Sequence, residues 1–283
     1  MKYLADFDKI FIIPKLDAVD EPVVKNITAL IINAAAYADL QVLTTSSQVC
    51  DRTLVIAVGG DGTMLAAMRL AAEHKAIATG INLGKVGFLT DFGYTDRQFR
   101  NELDSLFQRP YLYPVELRTA LRIYSSIECL ERSGNIVLNE YVLSNLYSDE
   151  IITYTLKING IDAGEHRANG IIVGTPTGST AYTLSNGGAL LYPSMNVMQI
   201  VPVAPLSLTS RPIIVPGDAK VSIQVQTQGN YILKGDGARL YEFKPTDRPD
   251  LTFTEHFSPV RVVHPTNWNF FDVLTEKLGW RKR

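Results

Sequence analysis

Gly59-Gly60-Asp61-Gly62-Thr63 sets one carboxylate in a glycine turn, between Leu54-Val55-Ile56-Ala57-Val58 and Met64-Leu65-Ala66-Ala67-Met68. The order is that of a strand, a turn and a helix start. Glycines let backbone N–H groups approach a ligand closely, and a helix N-terminus favours phosphate. A carboxylate among such amides repels phosphate unless it accepts a proton or meets a metal. The plain alternative is an ordinary turn in which Asp61 caps the helix.

Two further clusters have residue types suited to a nucleoside. Thr175-Pro176-Thr177-Gly178-Ser179-Thr180-Ala181-Tyr182 follows the apolar run Gly170 to Val173 and forms a donor-rich loop. Tyr182 offers a ring to pack on a base and a phenol to hydrogen-bond, and Ser179 or Thr180 is placed to cap a short helix. A plain Ser/Thr cap is the alternative for this loop taken alone. Asn139-Glu140 follows Ile136-Val137-Leu138. An amide can read a base edge and a carboxylate can accept both hydroxyls of a ribose. By itself the dipeptide also reads as a turn or a strand end.

The elements that must position these groups fall into two regions. Ile10 to Ile13, Leu40 to Leu43, Leu54 to Val58 and Ala76 to Ile81 read as strands, with helical spacing over Glu21 to Ala38, Met64 to Glu73 and Phe99 to Phe107. Alternating strands and helices predict an α/β domain with a parallel sheet over 1–110. From about Tyr111 to residue 260 the chain is mostly β. Leu117 to Leu130 and Ile151 to Ile158 alternate, Asn159-Gly160 signals a hairpin, and Gly170 to Gly174, Gln199 to Val203, Pro212 to Val215 and Val221 to Val225 are strand candidates. The expectation is a β-rich, sandwich-like domain over 111–265, with a helix at Phe270 to Leu278 folding back onto the first domain.

Composition narrows the function classes. The 283 residues carry 46% hydrophobic and 20% charged side chains, enough for two domains with ordinary cores. A net charge of −2 gives no basic field for nucleic acid; the basic Arg281-Lys282-Arg283 end reads as a solvated helix terminus. Cys50 and Cys129 lack paired spacing and read as reduced thiols. No apolar run is long enough to cross a membrane, and the N-terminus meets charge too early for a signal peptide, so a cytoplasmic protein is expected. His74, His166, His256 and His264 show no metal-ligand spacing.

Together the motifs resemble the NAD kinase family. The resemblance rests on Gly59 to Thr63, Gly80 to Thr90, Asn139-Glu140, Thr175 to Ser185, Arg211-Pro212 and Asp236-Gly237, in family order over most of the chain. The Gly-Gly-Asp-Gly-Thr element also occurs in diacylglycerol and sphingosine kinases; the Thr-Pro-Thr-Gly-Ser-Thr-Ala-Tyr element is much more specific. The resemblance implies transfer of the γ-phosphoryl of ATP to the 2′-hydroxyl of the adenosine ribose of NAD, giving NADP. It makes Asp61 the proton acceptor, with Gly59, Gly60, Gly62 and Thr63 around the phosphates and a divalent cation, usually Mg²⁺, riding on ATP. It assigns Asn139 and Glu140 to the adenosine portion, and Thr180, Ala181, Tyr182 and Ser185 to the dinucleotide. Phe88 either closes over a base or is a core residue after a glycine turn. Homodimers or homotetramers with shared sites are implied as well.

Three positions depart from the family pattern. Asn169, in Arg167-Ala168-Asn169-Gly170, replaces an aspartate associated with the nicotinamide half of the substrate, and Arg167 belongs to the same stretch. Leu206 stands where a histidine is frequent, and Ala238 follows Asp-Gly where glutamine is frequent. The expectation is intact chemistry at Asp61 with altered dinucleotide recognition. Two other readings use the same residues: a non-catalytic or altered-specificity nucleotide-binding relative, and a lipid kinase. The last predicts a membrane-facing element and leaves the Thr175 to Tyr182 loop unexplained.

Overall fold

The computed structural model describes residues 2–4, 6–84, 87–94, 96–127, 130, 135–146 and 150–281. Cys129, Lys85, Val86, Lys282 and Arg283 lie outside them. The chain divides into two compact units, 1–117 with 260–283, and 118–259.

The first unit contains strands β1 (Lys2–Tyr3), β2 (Lys9–Pro14), β3 (Gln41–Val42), β4 (Thr53–Val58), β5 (Ile77–Asn82), β6 (Phe92–Gly93) and β7 (Pro114–Arg118). Its helices are α1 (Pro22–Tyr37), α2 (Asp61–His74) and α3 (Asp96–Gln108). The second unit contains β8 (Leu121–Tyr124), β9 (Ile136–Val137), β10 (Glu140–Asn145), β11 (Ile152–Ile158), β12 (Ile161–Gly174), the short helix α4 (Tyr182–Ser185), β13 (Val197–Pro205), β14 (Ile213–Pro216), β15 (Val221–Gln226), β16 (Tyr231–Gly235), β17 (Ala238–Phe243) and β18 (Leu251–Glu255). The chain then returns to the first unit with β19 (Val260–Val263) and α5 (Phe270–Leu278).

The first sheet runs β1-β7-β19-β5-β4-β2-β3, with β6 also on β5. Its centre is parallel, as alternating strands and helices dictate; the β1–β7 pair is antiparallel, so the sheet is mixed. Every residue of β4 and β5 is buried, which explains their unbroken apolar runs. Helix α1 starts on Pro22, where a missing N–H costs nothing, and buries Val24, Ile27, Ile31, Ala34 and Ala35. Helix α5 is bounded by Asn269, whose side chain accepts the Phe271 N–H at 2.9 Å, and by Gly279 at φ 65°.

The second unit is one antiparallel sheet, β17-β16-β10-β12-β11-β15-β18-β8-β9, with β13 and β14 branching from β12. Two hairpins carry the left-handed pairs of a tight turn: Asn159-Gly160 at φ 53° and 79°, and Asp236-Gly237 at φ 46° and 80°. Its core gathers Tyr141, Tyr154, Tyr231, Phe243 and Phe253 with aliphatic side chains from both ends of the sheet.

Candidate active site

In the first unit the turn after β4 leads straight into α2. Gly60 is the helix N-cap residue and makes no side-chain cap; Asp61 is the first helical residue. The Asp61 carboxylate does not cap its own helix. It accepts the backbone N–H of Phe88 at 2.9 Å and of Leu89 at 3.1 Å, which fixes both oxygens against the segment after β5. A Cβ on Gly87 would collide with Asp61 Oδ1, so that glycine makes room for the carboxylate. Gly60 and Gly62 have open space where a side chain would stand, and both are exposed. The first N–H groups of a helix lack intrahelical partners, so this turn offers donors and a positive helix end beside one oriented carboxylate. Gly59 serves the chain itself: its N–H donates to Ile81 O at 2.9 Å and Thr63 packs where its Cβ would be. Phe88 is half-buried beside the buried Leu89.

In the second unit the Asp236-Gly237 hairpin turn is bonded to the chain just ahead of β10. Asp236 accepts the N–H of Asn139 at 2.7 Å and of Leu138 at 3.1 Å, and its own N–H donates to Glu140 O at 3.1 Å. The loop after β12 is fastened to the same place. Thr175 N donates to Asn139 O at 2.8 Å, Thr175 Oγ1 donates to Leu138 O, and Gly178 N donates to Thr175 Oγ1 at 3.1 Å. A Cβ on Gly178 would overlap Asn139 O, so only glycine permits this approach.

The capping role expected of Ser179 or Thr180 is not what these hydroxyls do. Helix α4 has Ala181 at its N-cap position and no side-chain cap. Ser179 is buried and bonds both the N–H and the carbonyl of Leu191, at 3.1 and 3.4 Å. Thr180 Oγ1 donates to Thr177 O at 3.3 Å. Gln199, also buried, accepts the Ala189 N–H at 2.6 Å and donates to Ala189 O at 3.3 Å. Hydroxyls and amide thus pin the segment that follows the loop, leaving Tyr182 and Ser185 exposed above it.

Glu140 is the electrostatic anomaly of this unit. It is 5% exposed, and its Oε2 lacks a hydrogen-bond partner among the described residues. Burial first, and the neighbouring Asp236 charge second, push its carboxyl up to about 7; the Tyr182 backbone N–H pulls the other way. Thr177 Oγ1, in a residue 3% exposed, is likewise unpartnered. Buried polar atoms normally find partners, and each one left unpaired costs about 1–3 kcal/mol. An acceptor and a hydroxyl orphaned around one loop fit a ligand that brings its own donors and acceptors. Thr177 lies inside the motif but had no role in the sequence reading; only its burial without a partner singles it out.

Asn139, Glu140, Thr180, Ala181, Tyr182 and Ser185 are therefore gathered around one hairpin turn and one loop. Arg167 and Asn169 are not. They sit on β12, seven and five residues before Gly174, roughly 23 and 17 Å along an extended strand. There Arg167 O accepts the Leu206 N–H at 3.0 Å, and Arg167 lines an open groove with Glu150, Thr153, Gln226 and Arg248. Leu206 is 55% exposed, and Ala238 opens β17 beside the Asp236-Gly237 turn. Among the described residues no three His, Cys, Asp or Glu side chains converge as a metal cage.

Comparison with known proteins places the chain in a family. Residues 19–111 match the family model of the ATP-NAD kinase N-terminal domain, and residues 138–262 that of the ATP-NAD kinase C-terminal domain. An NAD kinase of Pseudomonas paraeruginosa is 34% identical over 238 residues, 83% of this chain and 78% of that protein. One from Coxiella burnetii is 33% identical over 232 residues, covering 81% and 75%. Among solved structures, yeast NADH kinase complexed with NADH superposes with a TM-score of 0.83 at 20% identity, over 98% of this chain and 89% of that one. An NAD kinase from Archaeoglobus fulgidus in complex with ATP gives 0.72 at 22% identity, over 95% and 98%. At those identities the two structures share the fold. With both domain models in order along the chain and relatives a third identical over most of its length, the chain belongs to the NAD kinase family.

Proposed function

We propose that this chain transfers the γ-phosphoryl of ATP to the 2′-hydroxyl of the adenosine ribose of NAD, giving NADP and ADP, with Asp61 as the proton acceptor. The O2′–Pγ bond forms, the bond from Pγ to the bridging oxygen breaks, ADP leaves, and the hydroxyl proton passes to the Asp61 carboxylate. A sugar hydroxyl is a poor nucleophile until that proton is drawn off, and phosphoryl transfer otherwise needs positioning and charge neutralisation. The observation that carries the reading is Asp61 itself, held by the Phe88 and Leu89 N–H groups at a glycine-flanked helix start.

Gly60, Gly62 and the open amides of α2 line the phosphates, with Thr63 adding a hydroxyl. Mg²⁺ would ride on the ATP phosphates and would neutralise their charge, which leaves the Asp61 carboxylate to take the proton. Glu140 accepts ribose hydroxyls, Thr177 and Asn139 meet the base, and Tyr182 packs on it. Because Arg167 and Asn169 stand far along β12 from that loop, they serve the nicotinamide half in a neighbouring copy of a homodimer or homotetramer. Asn169 and Leu206 there, and Ala238 beside the Asp236-Gly237 turn, alter dinucleotide recognition without touching the chemistry. No helix among the described residues is long and apolar enough to cross a membrane, and a cytoplasmic site of action is the reading we adopt.

NADP formation from NAD and Mg-ATP tests this directly. Turnover in the wild type and its loss in Asp61→Asn, with NAD binding retained, is the expected result. No turnover in the wild type would make the chain a binding relative, and full turnover in Asp61→Asn would remove the base from Asp61.

A further inference from the structure

The first unit buries an ionic cluster that the reaction does not use. His264, immediately after β19, is 1% exposed in its side chain. Its Nδ1 lies 2.6 Å from Asp91 Oδ2 and its Nε2 lies 3.2 Å from Glu116 Oε2, those side chains being 5% and 9% exposed. Trp268 stacks on the imidazole at a centroid distance of 4.0 Å, and the His264 N–H donates to Pro114 O at 3.2 Å. An ionised carboxylate only accepts, so the two contacts need two protons, supplied by an imidazolium or by a neutral ring with one protonated carboxyl. Asp91 Oδ1 has no hydrogen-bond partner among the described residues. Burying three ionisable groups is costly unless they are mutually satisfied, so an arrangement with an orphan oxygen calls for a use.

The chain around Asp91 indicates that use. Asp91 is three residues beyond Phe88 and two beyond Leu89, the residues whose N–H groups hold Asp61. The near end of this segment is tied by Asn82, which accepts the Gly84 N–H at 3.0 Å and donates to Thr90 O at 3.5 Å. Its middle is tied by Thr90 Oγ1, which accepts the Gly87 N–H at 3.3 Å. Its far end is tied by the contact from His264 to Asp91. Val263, next to His264, is in turn anchored where Thr79 Oγ1 donates to its carbonyl at 3.1 Å.

We propose that His264 is a positioning residue for Asp61, acting through Asp91: it clamps the far end of the segment whose two N–H groups orient the carboxylate. The contact that matters is Nδ1 to Asp91, with Glu116 and Trp268 holding the ring for it. The inference rests on Asp61 being the proton acceptor. A displacement of about 1 Å at a reacting group costs about a hundredfold in rate, so loss of the clamp lowers kcat by about 10- to 100-fold and leaves the KM values for NAD and ATP within about threefold.

The test compares His264→Ala, His264→Asn, His264→Gln and Asp91→Asn in the full chain, reading kcat, both KM values and Tm. An asparagine amide nitrogen falls near the Nδ1 position and a glutamine amide nitrogen near Nε2. Asn is therefore expected to keep kcat within about fivefold of wild type, while Ala and Gln lose about 10- to 100-fold. If Ala does not fold, Asn against Gln decides, since both retain an amide. Equal losses in Asn and Gln, wild-type kcat beside a lowered Tm, or a loss confined to KM would each overturn the proposal. Asp61→Asn is run alongside. Inactive Asp61→Asn with fully active, folded His264 variants removes the coupling alone; active Asp61→Asn removes the base assignment and the coupling with it.

Discussion

Replacing Glu140 by Gln removes a buried charge that the ligand-free protein holds at a cost. Its carboxyl is displaced from an ordinary 4.5 to about 7, by burial first and by Asp236 second. At roughly 1.4 kcal/mol per pH unit, that displacement is worth about 3 kcal/mol. Below pH 4.5 the group is protonated in both the folded and the unfolded chain and contributes no difference. Between 4.5 and about 7 the unfolded chain gives up its proton more readily, which favours unfolding, and above about pH 7 the penalty is complete. Glu140→Gln should therefore match the wild type near pH 4.5 and exceed it by up to about 3 kcal/mol near pH 8. A glutamine leaves the same number of unpartnered atoms, so the orphan cost nearly cancels in the comparison. Denaturant unfolding of the ligand-free chain across this range measures the difference. If Glu140 accepts the ribose hydroxyls as proposed, NAD has the opposite preference, since hydroxyls donate best to a carboxylate. Wild-type NAD affinity should rise with pH through about 7 and binding should release a proton, visible by calorimetry in buffers of different ionisation enthalpy. Glu140→Gln should bind NAD more weakly and without that pH dependence. Asp236→Asn removes the second cause and should move the midpoint down. A stability difference that does not change with pH, or a wild-type NAD affinity flat from about pH 6 to 8, would refute the reasoning.

Two glycines give sharper steric tests. Gly87→Ala directs a methyl at Asp61 Oδ1; kcat should fall at least about tenfold with NAD affinity held within about threefold, measured by steady-state kinetics and calorimetry. Gly178→Ala directs one at Asn139 O, a backbone atom that cannot swing aside. Overpacking of this kind costs about 1–3 kcal/mol, so Tm should drop and KM for NAD should rise while KM for ATP stays near wild type.

Much of this protein was legible in the chain alone, for local reasons. The turn after β4 needs glycines next to a helix start, and those residues sit side by side in Gly59 to Thr63. Asn159-Gly160 announces its hairpin because only a few residues tolerate left-handed backbone. Strands β4 and β5 read as apolar runs because parallel strands in a sheet centre are buried on both faces. Strand β10 escaped notice for the opposite reason: it opens on Glu140 and is buried on nearly every residue, so it shows neither alternation nor an apolar start. Strands β16, β18 and β19 likewise owe their places to distant partners, β16 to β10, β18 to β8, and β19 to β5 across more than half the chain, while β17 pairs its hairpin neighbour β16.

Residue types and spacing determined the chemistry available: a carboxylate in a glycine turn, a donor-rich loop, an amide–carboxylate pair. Tertiary structure alone decided what each group does there. Asp61 is aimed by N–H groups 27 and 28 residues downstream rather than capping its helix, and Ser179 pins Leu191 instead of capping α4. Glu140 and Thr177 become candidate ligand contacts because folding buries them and leaves an oxygen of each unpartnered, while His264 meets Asp91 across 173 residues. Backbone preference acts over a few residues and is written locally. Burial, and the partners a polar atom finds or lacks, depend on every segment packed around it, and only the folded chain assembles those.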